Sequence, residues 1–101
     1  GWRISINKSA DSSIDGTVLV ATSFGSYTLE VWKYENNSWT YAWSQSSTSS
    51  SSVTRSSYIS MISDGTAFIS FDEANSRFMK WTAQNSQKTS WSYSHLTTGV
   101  S

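Results

Sequence analysis

The chain contains no cysteine and no proline, only one histidine, and few charges. Without cysteine there is neither a disulfide scaffold nor a thiolate metal site. Without proline no kink or stiff linker is written into the chain. Charged residues make up 14% of the sequence, and seven Lys and Arg balance seven Asp and Glu. That balance removes the basic footprint of a nucleic-acid binder. No apolar run approaches the ~20 residues needed to cross a bilayer as a helix, so no membrane partner is expected. The first residues, Gly1-Trp2-Arg3-Ile4, do not read as a signal peptide.

Two things are abundant instead. Serine and threonine form a little over a third of the 101 residues, and aromatics form 15%, with six Trp, five Tyr and four Phe. Dense hydroxyls depress helix propensity and suit exposed strands and turns. A surface solvated by hydroxyls rather than charges suggests a secreted or cell-surface protein.

No stretch keeps a 3.6-residue apolar period. Short apolar runs bounded by turn residues predict eight strands: 2–6, 17–21, 28–34, 39–44, 58–62, 66–71, 77–82 and 90–96. Asp15-Gly16 and Asp64-Gly65 read as hairpin turns, with Asp placed there for backbone geometry.

The order of pieces repeats. Arg3-Ile4-Ser5-Ile6 lines up with Tyr58-Ile59-Ser60-Met61. Asp15-Gly16-Thr17-Val18-Leu19-Val20 lines up with Asp64-Gly65-Thr66-Ala67-Phe68-Ile69, 49 positions later, and Trp32 with Trp81 at the same offset. After a gap, Trp39-Thr40-Tyr41 matches Trp91-Ser92-Tyr93. The expected class is all-β, with two four-stranded antiparallel meanders: residues 1–45 and 57–101, joined by a flexible Ser-rich linker over 46–56.

The two units resemble blades of a lectin-type β-propeller, in which an apolar strand follows Asp-Gly and a Trp opens the outermost strand. The resemblance implies sugar binding. Propellers close with about four to eight blades, so two blades would be completed by oligomerisation or belong to a larger propeller. A homo-oligomer is therefore expected, and the chain is not expected to be a stable monomer. The alternative is an eight-stranded sandwich of the two sheets.

Strand alternation groups Trp39, Tyr41 and Trp43 on one face, and Trp91, Tyr93 and His95 on its counterpart. Such stripes stack on a pyranose or pack against a neighbouring sheet. Trp39 and Trp91 each open a strand after a polar loop. With Tyr41 and Tyr93 they are the candidate stacking residues, and Asn36, Asn37, Asn85 and Gln87 are the candidate hydrogen-bonding groups. Equivalence of the units predicts two similar, weak carbohydrate sites per chain. Trp32 and Trp81 lie in strands apolar on both faces and are expected in the core.

Nothing points to catalysis. The Ser-His-Asp types are present, but no Gly-x-Ser-x-Gly elbow frames a nucleophile. One histidine, no cysteine and no Asp-x-Asp pattern leave no metal site to expect, and no cofactor is implied. Asp72-Glu73-Ala74-Asn75 clusters oxygens without a counterpart in the first unit. Asn7-Lys8-Ser9 and Asn36-Asn37-Ser38 match the glycosylation sequon. The reading is a non-catalytic, lectin-like module. The rival is a structural or protein-interaction β-repeat, including a propeller fragment or an engineered piece, whose aromatics serve packing.

Overall fold

The computed structural model describes residues 2–6, 17–23, 27–49, 51–62 and 64–96, with the backbone alone for 2–6. Asp15-Gly16, the Asn7 sequon and the 97–101 end lie outside the described residues.

The protein is all-β among the described residues. Its strands are β1 (Trp2–Ile6), β2 (Val18–Ser23), β3 (Thr28–Glu35), β4 (Ser38–Ser46), β5 (Ser56–Met61), β6 (Ala67–Asp72), β7 (Arg77–Ala83) and β8 (Trp91–His95). They form two antiparallel meanders, β1-β2-β3-β4 and β5-β6-β7-β8. Each strand sits within one or two residues of its predicted place, because short apolar runs and polar turns alternate along the whole chain.

The turns use different chemistry. Between β3 and β4, Glu35 pairs with Ser38 across a two-residue turn. Asn36 and Asn37 there have φ of 53° and 64°. A left-handed pair of this kind matches strand twist, and asparagine tolerates the conformation better than most residues. Between β5 and β6 the expected Asp-Gly turn is wider. Ile62 N–H donates to Ala67 C=O at 3.0 Å, and among the described residues of this loop only Gly65 has positive φ. Asp64 braces it: one carboxylate oxygen accepts from the Thr66 hydroxyl at 2.7 Å and from the Thr66 N–H at 3.0 Å. These bonds, the hydroxyl's foremost, hold the Asp64 carboxyl below its ordinary pKa of 3.8.

Asp72 spans the turn between β6 and β7. Its Oδ1 accepts from the N–H groups of Ala74 and Asn75, and its Oδ2 from the Asn75 amide. The buried carboxylate therefore has three donors and shapes a loop.

The described residues of the Ser-rich connection carry a set of local hydrogen bonds. Ser52 N–H donates to Ser49 C=O, and Arg55 N–H to Ser52 C=O, both at 3.1 Å. The Ser47, Ser49 and Ser52 hydroxyls accept from N–H groups two residues on. Thr54 is buried, and Val53 packs on the core. Hydroxyls that supply their own backbone partners order a segment without a large apolar surface.

One core lies between the sheets. The first contributes Val18, Val20, Leu29, Val31 and Trp43; the second contributes Phe68, Met79, Trp81 and Trp91. Phe68 stacks on Trp81 at 5.8 Å and 12°, and Trp43 reaches Trp81 at 5.7 Å and Trp91 at 6.4 Å. The Trp81 indole N–H donates to the buried Ser70 hydroxyl at 3.0 Å. β5 lies alongside β1 and β2, and at the far side Lys33 Nζ donates to Gln87 C=O at 2.9 Å. The two units share this core and do not have one each.

Trp43 reaches the core through a bulge. Val31 pairs with Trp43 and Trp32 with Tyr41, so Ala42 is the extra residue. A bulge shifts the alternation by one. The expected stripe of Trp39, Tyr41 and Trp43 is therefore broken: Trp39 and Tyr41 face outward and Trp43 inward. A second correction concerns Trp32. It lies half-buried on the outer face of the first sheet, whereas Trp81 is wholly buried between the sheets.

The two Trp differ because the sheets meet through unlike faces. At the 49-residue offset, inward Val18, Val20, Leu29 and Val31 correspond to Ala67, Ile69, Phe78 and Lys80, on the outer face of the second sheet. Inward Phe68, Met79 and Trp81 correspond to Leu19, Glu30 and Trp32, on the outer face of the first.

Candidate functional site

The outer face of the first sheet carries an aromatic strip. Leu19, Trp32 and Tyr41 are cross-strand neighbours, as are Tyr34 and Trp39. Trp32 meets Tyr41 edge-on at 5.5 Å, and Tyr34 meets Trp39 edge-on at 5.4 Å. The Trp32 indole N–H donates to a Glu30 carboxylate oxygen at 3.2 Å, and the Tyr41 hydroxyl is bonded to Ser44 Oγ at 2.6 Å. Trp39 is 37% exposed and Tyr41 51%. The strip thus presents flat rings bordered by a carboxylate and hydroxyls.

In the second sheet the corresponding strand is arranged differently. Trp91 is 7% exposed, packed on Phe68 at 5.2 Å, with its indole N–H donating to Lys88 C=O at 2.8 Å. It offers no open face, so the two Trp-x-Tyr segments are not equivalent sites. Tyr93 is 44% exposed and lies against Trp81 at 4.9 Å and His95 at 5.9 Å. The pair Trp81–Tyr93 is the repeat equivalent of Trp32–Tyr41.

The amide groups singled out in the sequence have structural duties. Asn36 and Asn37 hold the left-handed turn, with exposed side chains beside Trp39 in sequence. Asn85 closes the β7–β8 loop, donating to the Thr89 hydroxyl at 2.8 Å and accepting from the Thr89 N–H at 3.0 Å. Gln87 contributes its carbonyl to Lys33, while its side chain is exposed. The Gln84 amide donates to Ser92 Oγ at 2.7 Å, on the face of β8 opposite Tyr93. Glu30, Trp32 and Tyr34 share one face of β3, although Trp32 was expected in the core. Their period-two spacing in β3 is the signal for one shared face, masked by apolar residues on both sides of the strand.

A cleft of about 130 Å³ opens beside the Lys33 bridge, lined by Val18, Lys33, Tyr34, Glu35, Ser86 and Lys88. Enclosed ligand pockets run to ~300–1,000 Å³. No protein family matches the chain, and no curated protein or solved structure matches it either.

Proposed function

We propose that the chain is a non-catalytic carbohydrate-binding module built from two propeller-type blades. The blade reading is supported by the unlike faces at the shared core. Successive blades stack front to back, so equivalent residues fall on opposite sides of the interface. A two-fold sandwich of repeated sheets joins like faces instead.

The observation that carries the carbohydrate reading is the repeated Trp–Tyr pair. In both sheets a half-exposed tyrosine on the outermost strand leans on a tryptophan of the third strand. A tyrosine presents a rigid apolar ring and a polar tip, which suits the apolar face and the hydroxyl rim of a pyranose. Ser44 and Glu30 flank the first pair, and His95 flanks the second. Trp39 is an accessory at the first site, and Trp91 belongs to the core. Shallow single-ring sites bind weakly, and copies presented together multiply that affinity. Binding without catalysis is supported by the acids: Asp64 and Asp72 brace turns, and Glu30 accepts from Trp32. The hydroxyl-rich, charge-poor surface supports an extracellular setting.

Titration calorimetry against a panel of mono- and oligosaccharides tests the reading. Two ligand equivalents per chain are expected, with Tyr41→Ala and Tyr93→Ala each removing about half the capacity while the strand circular dichroism stays intact. A panel without heat, or heat unchanged in both variants, refutes it.

A further inference from the structure

We infer that the two uncovered sheet faces are each other's partners in a second copy of this chain: the outer face of the first sheet is covered by the outer face of the next copy's second sheet. This inference rests on the blade reading and not on carbohydrate binding.

An interface between unlike faces uses one face of each kind and leaves one of each kind open at the two ends of the pair. Such a head-to-tail contact propagates until it closes as a ring. The open faces have the character this requires. On the first sheet, Trp32, Tyr34 and Trp39 look outward; Trp32 and Trp39 are the equivalents of Trp81 and Trp91, which the shared core buries. On the second sheet, Phe78 is 44% exposed, grouped with Phe71 at 5.0 Å and Tyr58 at 6.0 Å. Its equivalent, Leu29, is fully buried between the sheets. Each open face is thus a copy of a covered one.

Charge points to the same register. Val31 and Met79 lie in the shared core, one from each sheet. Their repeat equivalents are Lys80 and Glu30, one on each open face. Where the shared core holds two apolar side chains, the contact between copies would hold opposite charges. A face-to-face pairing of like sheets would instead bring Glu30 to Glu30 or Lys80 to Lys80, at a cost that selects against it. Tyr41 and Tyr93 lie outside the covered area, since Tyr93 stays half-exposed beside the internal interface. Assembly therefore leaves the two tyrosine rings open, while Trp39 and Glu30 of the first site pass into the contact. Closure with about four to eight blades takes about two to four copies.

The test is the solution mass of the full chain by light scattering and sedimentation, across micromolar to millimolar concentration. A closed assembly of two to four copies is expected. Glu30→Lys and Lys80→Glu should each raise the concentration at which it dissociates by about tenfold or more. The double charge swap should restore it. Because the sheet could suffer from a reversed charge, each variant's strand circular dichroism is recorded, and Phe78→Ser serves as a second route to the same face, also expected to dissociate the assembly. A wild-type mass of 11.2 kDa throughout overturns the inference. So does an assembly that ignores Glu30→Lys, Lys80→Glu and Phe78→Ser alike. Glycan binding by a monomer would leave the carbohydrate reading standing while this one fell.

Discussion

Replacing Trp81 and Trp32 separately by alanine distinguishes a residue in the shared core from its repeat equivalent on an open face. Trp81 is 0% exposed, stacked on Phe68, in contact with Trp43 and Tyr93, and bonded to Ser70. Deleting such a ring costs ~3–5 kcal/mol, and leaving the buried Ser70 hydroxyl without its donor adds to the upper end. A domain of this size has ~5–15 kcal/mol in all, so Trp81→Ala removes a large share of it. Trp32 is half-buried and packs chiefly on Tyr41, which gives about 1–2 kcal/mol from area and ring contact. Urea unfolding followed by far-ultraviolet circular dichroism measures both, at one low protein concentration so that assembly does not enter the comparison. Equal losses in the two variants would refute the unlike-face arrangement. A Trp32→Ala loss that grows with protein concentration would show the ring gaining cover from another copy.

Two further outcomes follow from buried and braced side chains. The Thr22 hydroxyl is fully buried without a hydrogen-bond partner among the described residues, so Thr22→Val should stabilise by about 1 kcal/mol and raise Tm by about 4–8 °C in calorimetry. Asp64 has a folded-state pKa below its ordinary 3.8, so its carboxylate favours the folded state above that value and the contribution fades as pH falls through the lowered one. Asp64→Asn should therefore be less stable than wild type at neutral pH and converge with it in acid, read from Tm against pH; a difference constant with pH would contradict this.

The strands were legible because apolar runs of strand length alternate with turn residues along the chain. The repeat was legible in Asp-Gly-Thr and Trp-x-Tyr. The faces were harder. Nothing in Trp39-Thr40-Tyr41-Ala42-Trp43 announces that Ala42 is an extra residue, since a bulge is defined by the partner strand, and without it Trp43 reads outward. Trp32 and Trp81 are equivalent in sequence and unlike in burial because a stack of repeats has two different ends. Local pattern carries no information about which end a unit occupies. The hydrogen bonds of the Ser-rich connection were illegible for another reason. Composition measures the apolar surface a segment can bury, not the N–H groups its hydroxyls can hold. Of the candidate residues, Tyr41 and Tyr93 are open and Trp91 is closed, a distinction not legible because Trp43 packs on Trp91 from the other sheet.

That arrival of Trp43 makes the core report on itself by light. Trp43 belongs to one sheet and Trp81 and Trp91 to the other, with ring centres 5.7 and 6.4 Å from Trp43. Indoles this close couple their electronic transitions, so the near-ultraviolet dichroism of the protein is a signal of the two sheets being together. The backbone signal, by contrast, reports each meander alone. A state in which strands persist while the sheets part would lose the first and keep the second. The chain thus carries an intrinsic optical gauge of its own closure, requiring no label.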